Sequence, residues 1–374
     1  MMSSMSLIIT TVALVGSILA TDKSLATLPL GVLFFAVMLT SIPAAMLMKR
    51  IGRKAGFMFA TLFGITGGSL ATYAIIENYF WLFVVSTALV GMFNGFGNYF
   101  RFTAADSVEK DQKSRAISYV MLGGVVAAVV GPNLANYTHD IISTAAFAGS
   151  YASIIVVYVL ALITLSFLKL PNTKVALQQE ANLEVRTLGV IASQPKFIIG
   201  IVCGMLGYGV MSFVMTATPL AMHHHVHSFS DTAFVIQWHT LGMFAPSFFT
   251  GHLIKRFGIY NILLIGALFG IACVVINLNG STVTHYWAAL LLLGVSWNFL
   301  FIGATTLITE TYHAAERSKT QALNDFIIFT TVAISSLSAG ALHHKFGWEM
   351  VNIGVLPLLI VILISIIWGK LKYR

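Results

Sequence analysis

Charge is what this sequence has least of. Only 9% of its 374 residues are Asp, Glu, Lys or Arg, against 57% apolar residues and a mean hydropathy of +0.87. A soluble domain carries about 25% charged residues, and a chain this poor in charge cannot cover a water-facing surface. The deficit excludes an ordinary soluble globule and leaves lipid as the solvent for most of the surface. The two cysteines, Cys203 and Cys273, lie far apart inside apolar runs. They read as small buried hydrophobes, not as a disulfide or a metal pair. No P-loop occurs, which argues against ATP-driven transport by this chain. No span gathers clustered acids, a nucleophile and a metal set, so an enzyme is not expected, nor is any cofactor. A cleavable signal peptide and an appended soluble domain are also missing from the pattern.

What the chain does have is apolar length. A spanning helix needs about 20 mostly apolar residues. Twelve stretches qualify: 5–21, 25–48, 55–77, 79–104, 116–137, 146–169, 196–220, 229–254, 260–279, 284–309, 319–342 and 347–369. Between the sixth and seventh lies the one long polar stretch, Leu170–Pro195. The expected organisation is a six-helix bundle at 1–170, a cytoplasmic linker at 171–195 and a second six-helix bundle at 196–374.

The net charge of +8 would suggest nucleic acid in a soluble protein. Here the basic residues sit between apolar segments and report orientation instead. With the amino terminus placed in the cytoplasm, eighteen of the 21 Lys and Arg residues fall on the cytoplasmic side, and Lys23 and Lys345 alone fall opposite, with Arg101 inside a helix end. Such alternation fixes the span count and puts both termini in the cytoplasm. The first span is short for a bilayer of about 30 Å. A snorkelling thin helix and a start upstream of Met1 both fit, and the second is the expectation.

The halves repeat. Ala45, Lys49, Arg50 and Gly52 recur as Gly251, Lys255, Arg256 and Gly258; Asn94, Asp106, Ser114 and Arg115 recur as Asn298, Glu310, Ser318 and Lys319. The offsets, 206 and 204 residues, nearly agree, which argues for duplication. Two six-span halves in parallel orientation are the architecture of major facilitator transporters. The stretch Ala45, Lys49, Arg50, Gly52, Arg53 and Lys54 resembles that family's signature loop, departing from it at Ala45 (for glycine) and Lys49 (for aspartate). Gly123, Gly124, Gly131 and Pro132 give a partial likeness to the glycine–proline motif of its antiporters. The resemblance implies an all-α membrane protein of the major facilitator fold, with twelve helices in two pseudo-symmetric bundles. It implies transport and leaves the substrate open.

Polar groups inside a bilayer are costly, so each needs a reason. His239 lies about mid-way along the eighth span, between Gln237–Trp238 and Thr240. An imidazole there can carry a coupling proton, bind an anionic substrate, or stay neutral and bridge helices. Gln237 and Trp238 cannot both share its face, since helix neighbours diverge by about 100°. Asn94 and Asn98 share one face, and Asn94 is the repeat mate of Asn298. These amides, with Trp297, Tyr208 and Asn133, are expected to line a central cavity. Asp325, just inside the eleventh span, is implied by the family resemblance to meet Arg50 or Arg53 when the cytoplasmic side closes; proton coupling and plain structural pairing are the alternatives for an intramembrane acid. Arg101 either snorkels to water or joins that gate. Asp106 and Glu310 are expected to cap the gate against Lys49–Lys54 and Lys255–Arg256. The run at His223, His224, His225 and His227 reads as a solvated outer loop and not as a metal site. Gly64 with Gly68, Gly91 with Gly95 and Gly266 with Gly270 have the spacing of close helix packing.

The function expected is secondary active transport by alternating access, driven by protons, with a neutral, amphipathic or weakly acidic small molecule as cargo. An uncoupled facilitator and a non-transporting membrane sensor share the fold. The expected setting is a bacterial cytoplasmic membrane, the expected state a monomer, and the partners the small-molecule substrate, protons and lipid, without nucleic acid.

Overall fold

The computed structural model describes residues 1–100, 103–104, 113–168, 186–313 and 316–373, with the backbone alone at Lys49 and at positions 113–119, 121, 317, 318 and 322. Among the described residues the secondary structure is helical, without strands. The first group comprises α1 (Met2–Leu19), α2 (Leu28–Ile51), α3 (Arg53–Ile76), α4 (Phe80–Gly97), α5 (Lys113–Thr138) and α6 (Ala148–Phe167). After the short α7 (Leu188–Ala192) come α8 (Pro195–His224), α9 (Phe229–Phe244), α10 (Ser247–Phe257), α11 (Ile259–Asn279), α12 (Val283–Thr309) and α13 (Arg317–Lys372). Nine helices of the described residues are long and apolar enough to cross a membrane.

Local sequence explains the boundaries. Pro195 opens α8, where the missing N–H costs nothing. Ser228 and Asp231 form a reciprocal capping box on α9. The predicted eighth span is broken at Ala245–Pro246, leaving α9 and α10 too short to cross alone. At 56 residues, α13 would extend roughly 80 Å if straight, far beyond one bilayer. It reverses instead at Gly347, which has φ 77° and ψ 179°. Along the first arm, Ile328 lies at Gly204, Thr331 at Gly209 and His343 beside His224. The second arm returns, so that Gly369 lies against Ile199 near the start of α8.

The repeat has a backbone signature. Gly52 closes α2 at φ 89° and ψ 154°, and Gly258 closes α10 at φ 83° and ψ 150°. Both glycines open the next helix at once. An L side chain is strained at such φ values, which is why glycine occupies both mates.

Buried side chains form two large clusters. One runs from Leu7 to Leu165 and adds Ile328, Val332 and Ala333; the other runs from Ile199 to Ile366. Between them α2 packs on the first arm of α13, and α5 packs on α9. The α2–α13 contact is antiparallel: Thr27 meets Gly340, Gly31 meets Leu337, and Met38 meets Thr330. The three predicted glycine pairs all face neighbouring helices; a Cβ on Gly91, for instance, would sit 2.3 Å from the Leu33 carbonyl oxygen.

Candidate functional site

Two adjoining chambers lie between the clusters, of about 210 and 620 Å³. They share Met1, Met2, Asn98, Tyr208, Phe244 and Phe329. The smaller adds Asn94, Thr240 and a methionine wall of Met211, Met215 and Met243. The larger adds Trp297, Phe301 and, at the start of α13, Asp325.

An aromatic cluster forms one wall. Trp297 and Phe301, one helical turn apart on α12, stack at 4.9 Å with 9° between their planes. Tyr208 stands edge-on to both, at 5.2 and 5.7 Å, and Phe244 meets Trp297 at 6.1 Å. The Trp297 indole N–H is buried without a hydrogen-bond partner, and so is the Ser6 hydroxyl in the smaller chamber. A buried donor without an acceptor carries a penalty that an incoming carbonyl or hydroxyl removes. The cavity thus offers planar apolar surface, unsatisfied polar atoms and very little fixed charge.

The expected cavity residues divide. Asn94, Asn98, Tyr208 and Trp297 line it. Gln237 and Asn133 do not; they bond to each other, Asn133 Nδ2 donating to Gln237 Oε1 at 2.7 Å, and tie α5 to α9. Trp238 packs edge-on against Trp287 and Phe234. His239 is fully buried between α9 and α12, with Nδ1 2.8 Å from the Leu290 carbonyl. The reason is helical phase: Thr240 and Phe244, four residues apart, take the cavity side of α9, and His239, about 100° round from Thr240, faces α12. Asn298 is likewise fully buried away from the cavity. It donates to the Met243 carbonyl and the Ser247 hydroxyl and accepts from Thr250, each at 2.7 Å, bracing the break between α9 and α10. Repeat mates therefore differ in role: Asn94 donates to Val90 of its own helix and lines the cavity.

The basic loops gather on one face. Lys54 donates to the Ser166 carbonyl at 2.6 Å, and Lys370 to Asn261 at 2.7 Å. Arg50, Lys255 and Arg256 are exposed, Arg53 is half-buried, and Gly52 makes the turn. Glu310 pairs with Lys196 at 2.6 Å, joining the end of α12 to the start of α8. Asp325 is half-buried at the cavity and accepts from Asn324 at 3.0 Å. Arg101, Asp106 and the Lys49 side chain lie outside the described residues.

Sequence reasoning missed a buried polar cluster on this face. Glu316 is buried and takes a forked pair from Arg186, at 2.8 Å from Nε and 2.6 Å from Nη2. It also accepts the backbone N–H groups of Arg186 and His313. Arg186 reaches the Thr311 carbonyl, and Lys319 donates to the Arg186 carbonyl. The guanidinium and these N–H donors hold the Glu316 carboxyl well below the usual carboxylate range. The aromatics Phe244, Phe301 and Phe329 were also missed; in sequence they look like any lipid-facing phenylalanine.

At the opposite face the Thr27 hydroxyl accepts from the Gly340 N–H at 3.0 Å and donates to Leu337 at 3.3 Å. Among the described residues, no group of three or more His, Cys, Asp or Glu is placed to hold a metal ion.

Comparison with known proteins agrees with this architecture. A family model described as Major Facilitator Superfamily matches residues 1–328 and, in a second match, 202–373. A Brucella anthropi protein named riboflavin transporter RfnT is 43% identical over 366 residues, covering 98% of this chain and 92% of the relative. An uncharacterized MFS-type transporter of Bacillus subtilis, YdeG, is 31% identical, covering 79% and 70%. Among solved structures, the transporter FucP in its outward conformation superposes with a TM-score of 0.57 at 15% identity, over 98% of this chain and 97% of that one.

Proposed function

The chain belongs to the Major Facilitator Superfamily and is a membrane transporter, not an enzyme; from that premise we propose that its cargo is riboflavin. The observation that carries this reading is the 43% identity, along 98% of the chain, to a protein named as a riboflavin transporter. The cavity chemistry supports it. Riboflavin joins a planar fused-ring system, with carbonyl and N–H groups on one edge, to a polyhydroxylated chain, and it carries no net charge. Trp297, Phe301 and Tyr208 supply surface for the ring. Asn94, Asn98, the free Trp297 N–H and Ser6 supply donors and acceptors for its edge and hydroxyls. The larger chamber, about 620 Å³, lies within the range of roughly 300–1,000 Å³ that small-ligand sites occupy.

In this proposal residues 1–170 and 196–374 form the two halves, twelve spans cross the membrane, and the basic face is cytoplasmic. The halves rock about the α2–α13 and α5–α9 contacts, exposing the cavity to each side in turn. Lys49, Arg50, Arg53, Arg101, Asp106, Lys255, Arg256, Glu310 and Asp325 belong to the cytoplasmic gate. A proton gradient is the proposed drive. Its ion would bind elsewhere than His239, which the cavity does not reach. Movement unaffected by a protonophore would make the chain an uncoupled facilitator.

The direct test is radiolabelled riboflavin movement in a bacterium that lacks its own flavin transporter, in both directions. Protein present in the membrane with no flavin movement overturns the substrate. Aromatic stacking on a ring is worth about 1–3 kcal/mol, so Trp297→Ala should weaken riboflavin binding roughly 5- to 150-fold. Trp297→Phe should keep most of the stacking and lose the N–H donation. Flavin fluorescence titration of purified protein reads both.

A further inference from the structure

The face opposite the basic loops holds a cavity of about 1040 Å³, and its walls are rich in imidazole. His223, His224 and His225 come from the tip of α8, and His343 and His344 from the turn between the arms of α13. The run that reads in sequence as a loop thus meets a second histidine pair from 120 residues further along the chain. The rings of His224 and His343 lie 6.5 Å apart, and those of His224 and His225 5.5 Å apart. We propose that this vestibule is a proton-binding site that controls the outer end of the pathway: neutral imidazoles permit closure, and protonation drives the α8 tip away from the turn of α13.

The groups that face it set the sign. Lys23 of the loop after α1 lines the vestibule, with Nζ bound to the Ser17 and Ala20 carbonyls. Glu349 is the one acid among the described residues of the lining, and Asp22, which faces His344, is bound by Ser24 outside it. His225 bonds to Tyr286, His227 to the Ser281 carbonyl, and His285 to Thr282. Protonating five imidazoles beside Lys23 therefore concentrates positive charge in one concave space, with Glu349 and Asp22 offsetting part of it. Like charges on α8 and α13 then repel.

The scaffold can respond. Pro219 lies inside α8, one turn before His223, and removes a backbone hydrogen bond at the base of the tip. Gly347 reverses α13 three residues after His344. One turn below His343, Gly340 makes the seam with Thr27. His223, His224 and His344 are exposed, so protons reach them from the outer side without crossing the cavity.

Spin labels at Val226→Cys and Lys345→Cys, on the two sides of the vestibule, test this in lipid nanodiscs. The native Cys203 and Cys273 are fully buried and do not compete for label. The long-distance population should grow as pH falls and imidazoles take up protons. In H224Q/H343Q the change should be lost, and H223Q/H344Q should reduce it. His252→Gln, on the basic face, should leave it intact. A distance distribution independent of pH in the wild-type background overturns the proposal. So does a response that survives in H224Q/H343Q. Neither readout depends on the identity of the cargo.

Discussion

A forked Arg–carboxylate pair differs from an exposed ion pair in what its loss leaves behind. Glu316 is buried, and four donor N–H groups from Arg186 and His313 converge on its two oxygens. Replacing it with glutamine keeps the volume and removes the charge that all four address. Glu316→Gln should lower the melting temperature of the purified protein at neutral pH. A carboxyl whose folded-state pKa is depressed stabilises the fold fully above its unfolded value, about 4.3, and loses that contribution as pH falls below it. The gap between wild type and Glu316→Gln should therefore narrow below about pH 4. An unchanged gap there would put the effect in packing instead of charge. Arg186→Lys should not substitute, because an ammonium cannot reproduce the fork. None of this was legible in sequence, where the partners stand 130 residues apart and Arg186 sits in a polar stretch that reads as linker. Asn298 was legible as a polar group needing a reason. Its reason proved to be the freed Met243 carbonyl, which depends on a helix break that hydropathy does not register.

Helices are where the sequence spoke most clearly. Apolar runs located the long helices, because in lipid a segment of that length must satisfy its own backbone. The repeated motif located Gly52 and Gly258, whose matching positive-φ turns follow from chemistry that glycine alone tolerates. Breaks were harder to read. Pro246 interrupts the predicted eighth span, whereas Pro43 sits within an unbroken α2, and the two look alike in a window of hydropathy. The glycine pairs carry a consequence for packing between elements. At Gly91 a Cβ would meet the Leu33 carbonyl oxygen at 2.3 Å and its carbon at 3.0 Å, both backbone atoms of α2. Neither can rotate away, so a side chain there must push α4 off α2. Gly91→Val should cost about 1–3 kcal/mol or more, as overpacking does. Gly251→Val, with nothing within 4 Å of its Cβ, should change stability by about 0.5 kcal/mol or less. Thermal denaturation of the two variants in one detergent makes the comparison, and equal losses would mean that helix propensity, not the α2–α4 approach, sets the cost.

At the scale of the whole molecule, the contacts between the two core clusters exchange under the internal repeat. By the matched segments, α2 corresponds to the broken span α9–α10, and α5 to the first arm of α13. The structure pairs α2 with that arm and α5 with α9. Each contact is the other's image, so a rocking motion that opens one end of both closes the other end of both. The seam at Thr27 and Gly340 marks the end that is closed here. A Cβ built on Gly340 lies 3.2 Å from the Thr27 Cβ. Disulfides need about 3.5–4.5 Å between these atoms, so a slight separation suits a crosslink. Oxidation of T27C/G340C should therefore fix this end shut. Riboflavin movement should stop on oxidation and return on reduction, while the single variants continue under both conditions. Cavity access from the basic face should persist in the crosslinked protein, which separates a locked transporter from an unfolded one. If movement continues with the crosslink complete, the α2–α13 seam does not open during the cycle, and the halves do not rock as proposed.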